Sequence, residues 1–540
     1  MHRLENAAGT RLGSTALNGL LATALVGLVI MLRSSILTLP PYTDEGAYLA
    51  SAFAIHSMHA GSVPDFAPVS TLAFYPSLLA PWITHAPNPL IAARVVDMLV
   101  ASLFTLAHFF LLVRIASCCS AFVCAAASAV CLNAPLFINA GFKNPAFLAF
   151  LFLTFALTCL IKGWSKNAGG MGYWIGVGIG LGLACAARET FVVYTLPVLA
   201  TVWYVAGAKP LGAAISGGCL SAGAAVLAVC LSRGGAGTQL GAILDGYHHL
   251  GSMYGAMEKV TNTSNQHAMV AGLSLQVLLW ELVPLCVVGL AAIMMALRES
   301  PATPRSQRAL VIGALGLLLA FASLPEFFIK LGFPYHLSYA LFGLSIFAAA
   351  GLGFFESRYG FAASWRFVAF SIACAGLISW KAHPSFQALV ANYRGAHALA
   401  VHYRAAMRGR WDDPVVDESF YLSTAREIRR ASHPSDSLVV AGWPLVLYPL
   451  SGLRIWNPAI LDLRVCQMEN ADFRAKLRGH GPRNLPDIVV ETNRYADYAI
   501  ESVLPGFAQE YRMVSEIPAG KPHYGEFSAR IWKLEDAAGR

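Results

Sequence analysis

The sequence predicts a mainly α protein: a polytopic helical membrane bundle of about eleven spans that carries a small extracytoplasmic α/β domain at its C-terminal end. Three observations lead there. The 540 residues are 56% hydrophobic and only 13% charged, where soluble domains carry about a quarter charged residues. Apolar runs of roughly 18 to 25 residues recur along the chain, each long enough for a hydrocarbon core of about 30 Å. From about residue 385 the charge rises and the apolar runs shorten to strand length.

Spans are expected at 15–38, 91–113, 116–133, 146–163, 171–187, 190–207, 211–231, 271–297, 308–323, 335–355 and 364–381. The first run has no convincing small-residue cleavage site before "PPYTDE", so it is expected to remain as the first span. Lys and Arg concentrate in cytoplasmic segments. With the N-terminus inside, that side receives Arg3, Arg11, Arg114, Lys162, Lys166, Lys209, Arg298 and Arg308, while residues 40 to 90 contain no Lys or Arg. An odd number of crossings then puts both the 40–90 loop and the C-terminal portion outside. The organisation expected is a transmembrane domain over 1–384 and an external α/β domain over 385–540.

Within the 40–90 loop, "DEGAYLASAFAIHSMHAG" is too short to span and "TLAFYPSLLAPWITH" is broken by Pro76 and Pro81; both suit helices lying in the membrane interface. Residues 232–270 read as a second external loop. In the C-terminal part, "DSLVVAGW", "PDIVVET", "YRMVSEI" and "ARIWKL" read as strands and "YLSTAREIRRA" as a helix.

Several function classes drop out. The net charge of +8 comes without a long basic run, zinc finger or RNA-binding motif, so nucleic acid is not the expected partner. Ten of the eleven cysteines lie in or beside apolar runs, where they behave as small hydrophobes. Cys466 is alone in the C-terminal part, so no disulfide forms within it. No GxxxxGK[ST] is present, and the Gly-rich "GYWIGVGIGLGLA" belongs to a span, which argues against ATP or a nucleotide sugar.

The residues that can carry chemistry gather on the expected outer side. Asp44 and Glu45 follow the first span directly, with Tyr48 a turn later. A helix cap explains them equally well, with Thr43 or Asp44 capping and Glu45 in the positive first turn. Lys143 lies between the third and fourth spans, Arg188 and Glu189 between the fifth and sixth, and Lys330 and His336 between the ninth and tenth. Individually, the lysines suit snorkelling to the interface, Arg188 with Glu189 suits a structural pair, and His336 suits packing. Together they suit displacement at a phosphorylated carbon: a carboxylate takes a proton from an incoming hydroxyl, and cations hold the departing phosphate. A lipid phosphate, entering sideways from the bilayer, is the donor class that fits this architecture.

The order "TDEGAYLA", a Pro-broken interfacial segment, "AARVVDMLVASLF", "GLACAARETFVVYTLPVL" and "FPYHLSYALFGLSIF" resembles the GT-C superfamily of membrane glycosyltransferases over roughly residues 15 to 381. The likeness is to the branch containing protein O-mannosyltransferases and bacterial aminoarabinose transferases. The resemblance implies a polyprenyl-phosphate sugar as donor, a hydroxyl on an envelope glycan, lipid or protein as acceptor, and a bacterial inner membrane. It also implies that Asp44 activates the acceptor, that Glu45 positions it or contacts a divalent metal, and that Arg188 binds the lipid phosphate. The chain departs from the family at "GFKNPAF", where many relatives carry an acidic residue and this one has Lys143 and Asn144; whether a metal takes part therefore stays open. The 40–90 loop also lacks the basic residue that some relatives use on phosphate, leaving that task to Arg188, Lys143, Lys330 or His336. The alternatives from other classes are a polytopic transporter or lipid flippase, and a scaffold acting through its external domain.

Overall fold

In lipid a backbone must satisfy its polar groups within the segment, and the apolar runs are accordingly helices. The computed structural model describes residues 2–34, 43–57, 74–133, 146–165, 170–232, 282–298, 304–325, 337–359, 420–441, 445–456, 485–492, 500, 504, 506–518 and 528–535. The helices of the first part are α1 (His2–Ser34), α2 (Thr43–Ser57), α3 (Phe74–Ile83), α4 (Pro89–Leu112), α5 (Cys118–Asn133) and α6 (Ala146–Ser165). They continue with α7 (Gly172–Ala187), α8 (Val192–Ala206), α9 (Ala208–Ser232), α10 (Val283–Arg298), α11 (Pro304–Phe321) and α12 (Ala340–Tyr359). Each expected span up to 335–355 thus has a helix. The expected span at 364–381, the 232–270 loop and the expected domain boundary lie outside the described residues. Stretches in α1, α4, α6, α8 with its preceding turn, and α9 are long and apolar enough to cross a membrane; α5, α7, α11 and α12 are shorter apolar helices. The chain is a membrane protein of mainly helical build.

Helix α7 shows why the Gly-rich run belongs in a bundle. Gly176 and Gly180 face α6: a methyl at Gly176 would sit 2.9 Å from Cys159 Sγ, and one at Gly180 would sit 2.7 Å from the Phe152 carbonyl. Gly178 and Gly182, half a turn away, face α9, where added methyls would run into Ala214 and Gly218. Two small-residue stripes on one helix let two neighbours approach at backbone distance. Gly178→Ala is therefore expected to lower stability by about 1–3 kcal/mol through overpacking, read as an earlier thermal transition in detergent. Gly172→Ala, with open space around it, should leave the transition in place.

The end of the bundle where α4 finishes and α5 begins is tied by one carboxylate. Ser117 N and Oγ and Ser120 Oγ donate to Glu356 of α12 at 2.8, 2.5 and 2.5 Å. This is a cap for α5 supplied by another helix, with the negative charge at the positive helix end.

The C-terminal part contains α13 (Phe420–Ala431), β1 (Ser437–Ala441), α14 (Leu447–Ser451), β2 (Arg454–Ile455), β3 (Ile488–Thr492), α15 (Phe507–Glu510), β4 (Tyr511–Ile517) and β5 (Ala529–Leu534). The strands form one sheet in the order β2-β1-β3-β5-β4. β1 runs parallel to β2 and β3, and β5 runs antiparallel to β3 and β4, with a register shift between Met513 and Ser515. Because strand side chains alternate, Leu438, Val440, Ile488 and Val490 join the core shared with the bundle helices, while Val439, Ala441 and Val489 face a separate core with Phe507 and Tyr511. The buried Tyr511 hydroxyl donates to the Pro486 carbonyl at 2.6 Å, and burial raises its pKa above the usual phenol value.

Candidate functional site

Asp44 and Glu45 occupy the first turn of α2. This helix is not an open interfacial one: Gly46, Leu49, Ala50, Ser51, Ala52, Ala54 and Ile55 are buried. Its N-terminal turn is covered by the C-terminal domain, since a methyl on Gly46 would stand 2.9 Å from Val446 N; glycine is what lets α14's leading residues lie on α2. Tyr48 sits edge-on to Tyr75 of α3, with ring centroids 6.0 Å apart. α3 likewise buries Tyr75, Leu79 and Ile83 while Trp82 stays 65% exposed. Local sequence carries no signal for the cover over α2, because the residues that make it lie some four hundred positions further on.

Arg188 ends α7. Its backbone is extended and its N–H closes the last helical bond on Ala184 O at 2.9 Å. A cation here meets the negative end of the α7 dipole. The side chain is 3% exposed. Its Nε donates to Thr190 Oγ1 at 3.2 Å, and its guanidinium lies over the Tyr339 ring at 5.5 Å from the centroid. Around it Phe150 packs against Phe191, Tyr194, Tyr339 and Phe342 at 4.8 to 6.1 Å. An aromatic floor of this kind removes water and strengthens whatever charge Arg188 meets.

The relative level of these elements follows from the glycine contacts. Gly178 meets Ala214 and Gly182 meets Gly218, so α7 and α9 run in the same direction and Arg188 is near the level of α9's C-terminal turns. There Val229 packs with Ile55 of α2 and with Phe74. The acidic doublet's helix and Arg188 therefore share one end of the bundle. Lys143, Lys330 and His336 lie outside the described residues.

The same end holds a buried ion pair that the sequence reading passed over. Arg33, at the end of α1, pairs with Asp97 of α4, the two side chains 3% and 2% exposed. Arg33 Nη1 also donates to Asn133 Oδ1 of α5 at 3.3 Å, and its guanidinium lies 5.0 Å from the Phe147 ring centroid. Arg94, one turn before Asp97, is 3% exposed as well. Phe147 and Phe150 are on the first turns of α6, so that end of the helix packs against the guanidinium of Arg33 through Phe147 and, through Phe150, joins the aromatic cluster around Arg188. The available signal was an ionisable residue inside an apolar run, as in "VIMLRSSIL" and "AARVVDMLV". Among the described residues, no three His, Cys, Asp or Glu side chains come together as a metal would require.

No protein-family profile and no curated protein matches the chain. Among solved structures it is similar to the oligosaccharyltransferase of Archaeoglobus fulgidus. The apo form aligns at 12% identity and a TM-score of 0.47 over 81% of this chain and 64% of that one, so in that alignment the chain spans less than two thirds of the oligosaccharyltransferase's length. The complex of the same enzyme with zinc and sulfate aligns at the same identity and TM-score over 94% and 73%. ArnT from Cupriavidus metallidurans, bound to undecaprenyl phosphate, aligns at 12% identity and 0.47 over 94% of this chain and 97% of its own. At these values no likeness assigns a family.

Proposed function

We propose that the protein is a membrane glycosyltransferase that moves a sugar from a polyprenyl-phosphate donor to a hydroxyl on a glycan, lipid or protein, at the outer face of a bacterial inner membrane. One observation carries this reading. A guanidinium buried in an aromatic shell, Arg188, shares an end of the bundle with the helix whose first turn bears Asp44 and Glu45.

In the proposed reaction the acceptor oxygen bonds to the anomeric carbon as the bond from that carbon to the phosphate oxygen breaks. The bonding pair leaves with polyprenyl phosphate, and the hydroxyl proton passes to the Asp44 carboxylate. Arg188 stabilises the charge gathering on the leaving phosphate. Glu45 and Tyr48 position the acceptor, while Lys143, Lys330 and His336 are the further candidates for holding the donor. Backside approach of the hydroxyl gives inversion at the sugar carbon.

The test is transfer by purified protein from a synthetic polyprenyl-phosphate sugar, followed by release of polyprenyl phosphate together with a glycosylated acceptor. Arg188→Ala is expected to raise the donor KM by about 10- to 100-fold, the range for a lost hydrogen bond to a charged group. Arg188→Lys, keeping the charge without the planar fork, is expected to recover part of it. Movement of labelled solute or lipid across proteoliposomes without covalent transfer would replace this reading with a carrier.

A further inference from the structure

At the end of the bundle opposite Arg188, a cleft of about 640 Å³ opens between α4, α6, α7 and α11, lined by Phe110, Arg114, Ile161, Lys162, Tyr173 and Arg308, with Val113 and Ser165 at its edge. Three cationic side chains converge on it, and among the described residues no carboxylate lines it. Glu356, a carboxylate at the same end, is engaged by Ser117 and Ser120. Arg308 is held by stacking on Trp164, its guanidinium 5.9 Å from the ring centroid. On the apolar side of the cleft Phe110 is 43% exposed and Ile161 is buried.

We propose that this cleft binds the phosphate group of an anionic phospholipid. Snorkelling alone would send each long side chain outward independently. Here cations from two helices, Lys162 of α6 and Arg308 of α11, and Arg114 from the turn after α4 meet around one space instead, next to an apolar wall that an acyl chain can follow. Cations between helix ends, with the Tyr173 hydroxyl beside them, match a phosphate's oxygens in charge and in hydrogen-bonding type. Arg114, Lys162 and Arg308 are also the basic residues that the distribution of Lys and Arg puts on the cytoplasmic side, the leaflet where anionic headgroups present a negative surface.

The measurement is titration of detergent-purified protein with phosphatidylglycerol and with phosphatidylcholine, read by native mass spectrometry. Phosphatidylglycerol is expected to bind tighter by about a hundredfold, three cations each contributing near the membrane surface. Lys162→Gln alone is expected to lose about fivefold of that preference, and Arg114→Gln/Lys162→Gln/Arg308→Gln nearly all of it. A thermal melt on each variant separates lost binding from lost fold, and the single variant carries the test if the triple variant is unfolded. Inorganic phosphate forms the second arm. Displacement of the lipid only at concentrations far above its own keeps the phospholipid as the ligand. Protection by phosphate with no phosphatidylglycerol preference would assign the same contacts to a soluble phosphate ester and overturn the lipid. Equal retention of both lipids by wild type and Lys162→Gln would overturn the site.

Discussion

Asp44→Asn is expected to lower turnover by about 10²- to 10⁴-fold, the contribution of a positioned general base, while leaving donor binding in place. The substitution separates the two roles the residue can have. Asp44 lies in the first turn of α2, where a negative charge stabilises the helix end by about 0.3–1 kcal/mol. Asn retains the shape and most of the hydrogen-bonding capacity of a cap, so the thermal transition should shift little. If capping were the whole role, both the transition and kcat would stay near wild type. If Asp44 takes the acceptor's proton, kcat collapses, the donor KM holds, and the acid limb of the pH–rate profile disappears with the carboxylate. Glu45→Gln provides the internal comparison: it removes an adjacent charge of the same helix turn and is expected to act mainly on acceptor KM. Equal losses of kcat in the two variants would mean that the pair acts through local charge, and an unchanged kcat in Asp44→Asn would remove the proposed base.

What the sequence disclosed, and what it withheld, divides along the range of the interactions. Apolar run length locates α4 to α9 within a few residues because a lipid-facing backbone has one local solution. The strands β1, β3, β4 and β5 are equally legible as short apolar or alternating runs, whereas β2 has only Arg454 and Ile455 and offers no period to detect. α1 reaches back to His2, well before its apolar stretch, since a helix continues through polar residues that hydropathy does not register. Arg188, legible as a polar residue interrupting an apolar run, ends α7 and is buried at the end that also holds α2. The covering of α2 by residues 445–446 and the joining of Arg33 to Asp97 are contacts between distant segments. Only pairwise information between spans would have disclosed them, and a single chain's composition contains none.

The Arg33–Asp97 pair leads to the largest stability effect expected. Asp97→Asn leaves the Arg33 guanidinium, 3% exposed, without its carboxylate in a setting where charge is costly, and breaking such a pair costs about 3–5 kcal/mol. Thermal unfolding in detergent and the yield of folded protein both report it. Arg33→Met/Asp97→Leu, which removes both charges and keeps the volume, is expected to recover most of the loss, as replaced buried pairs commonly do. The pair has a positional consequence as well. Arg33 joins α1 to α4 through Asp97, to α5 through Asn133 and to α6 through Phe147, and eight residues separate the end of α1 from the start of α2. The anchor of α1 therefore bears on where the acidic doublet stands. Turnover in the apolar double variant distinguishes the two roles. Recovered stability with recovered kcat makes the pair a fastener between helices. Recovered stability with kcat still reduced, at an unchanged pH optimum and with a raised donor KM, makes Arg33 a second cation acting on the lipid phosphate alongside Arg188.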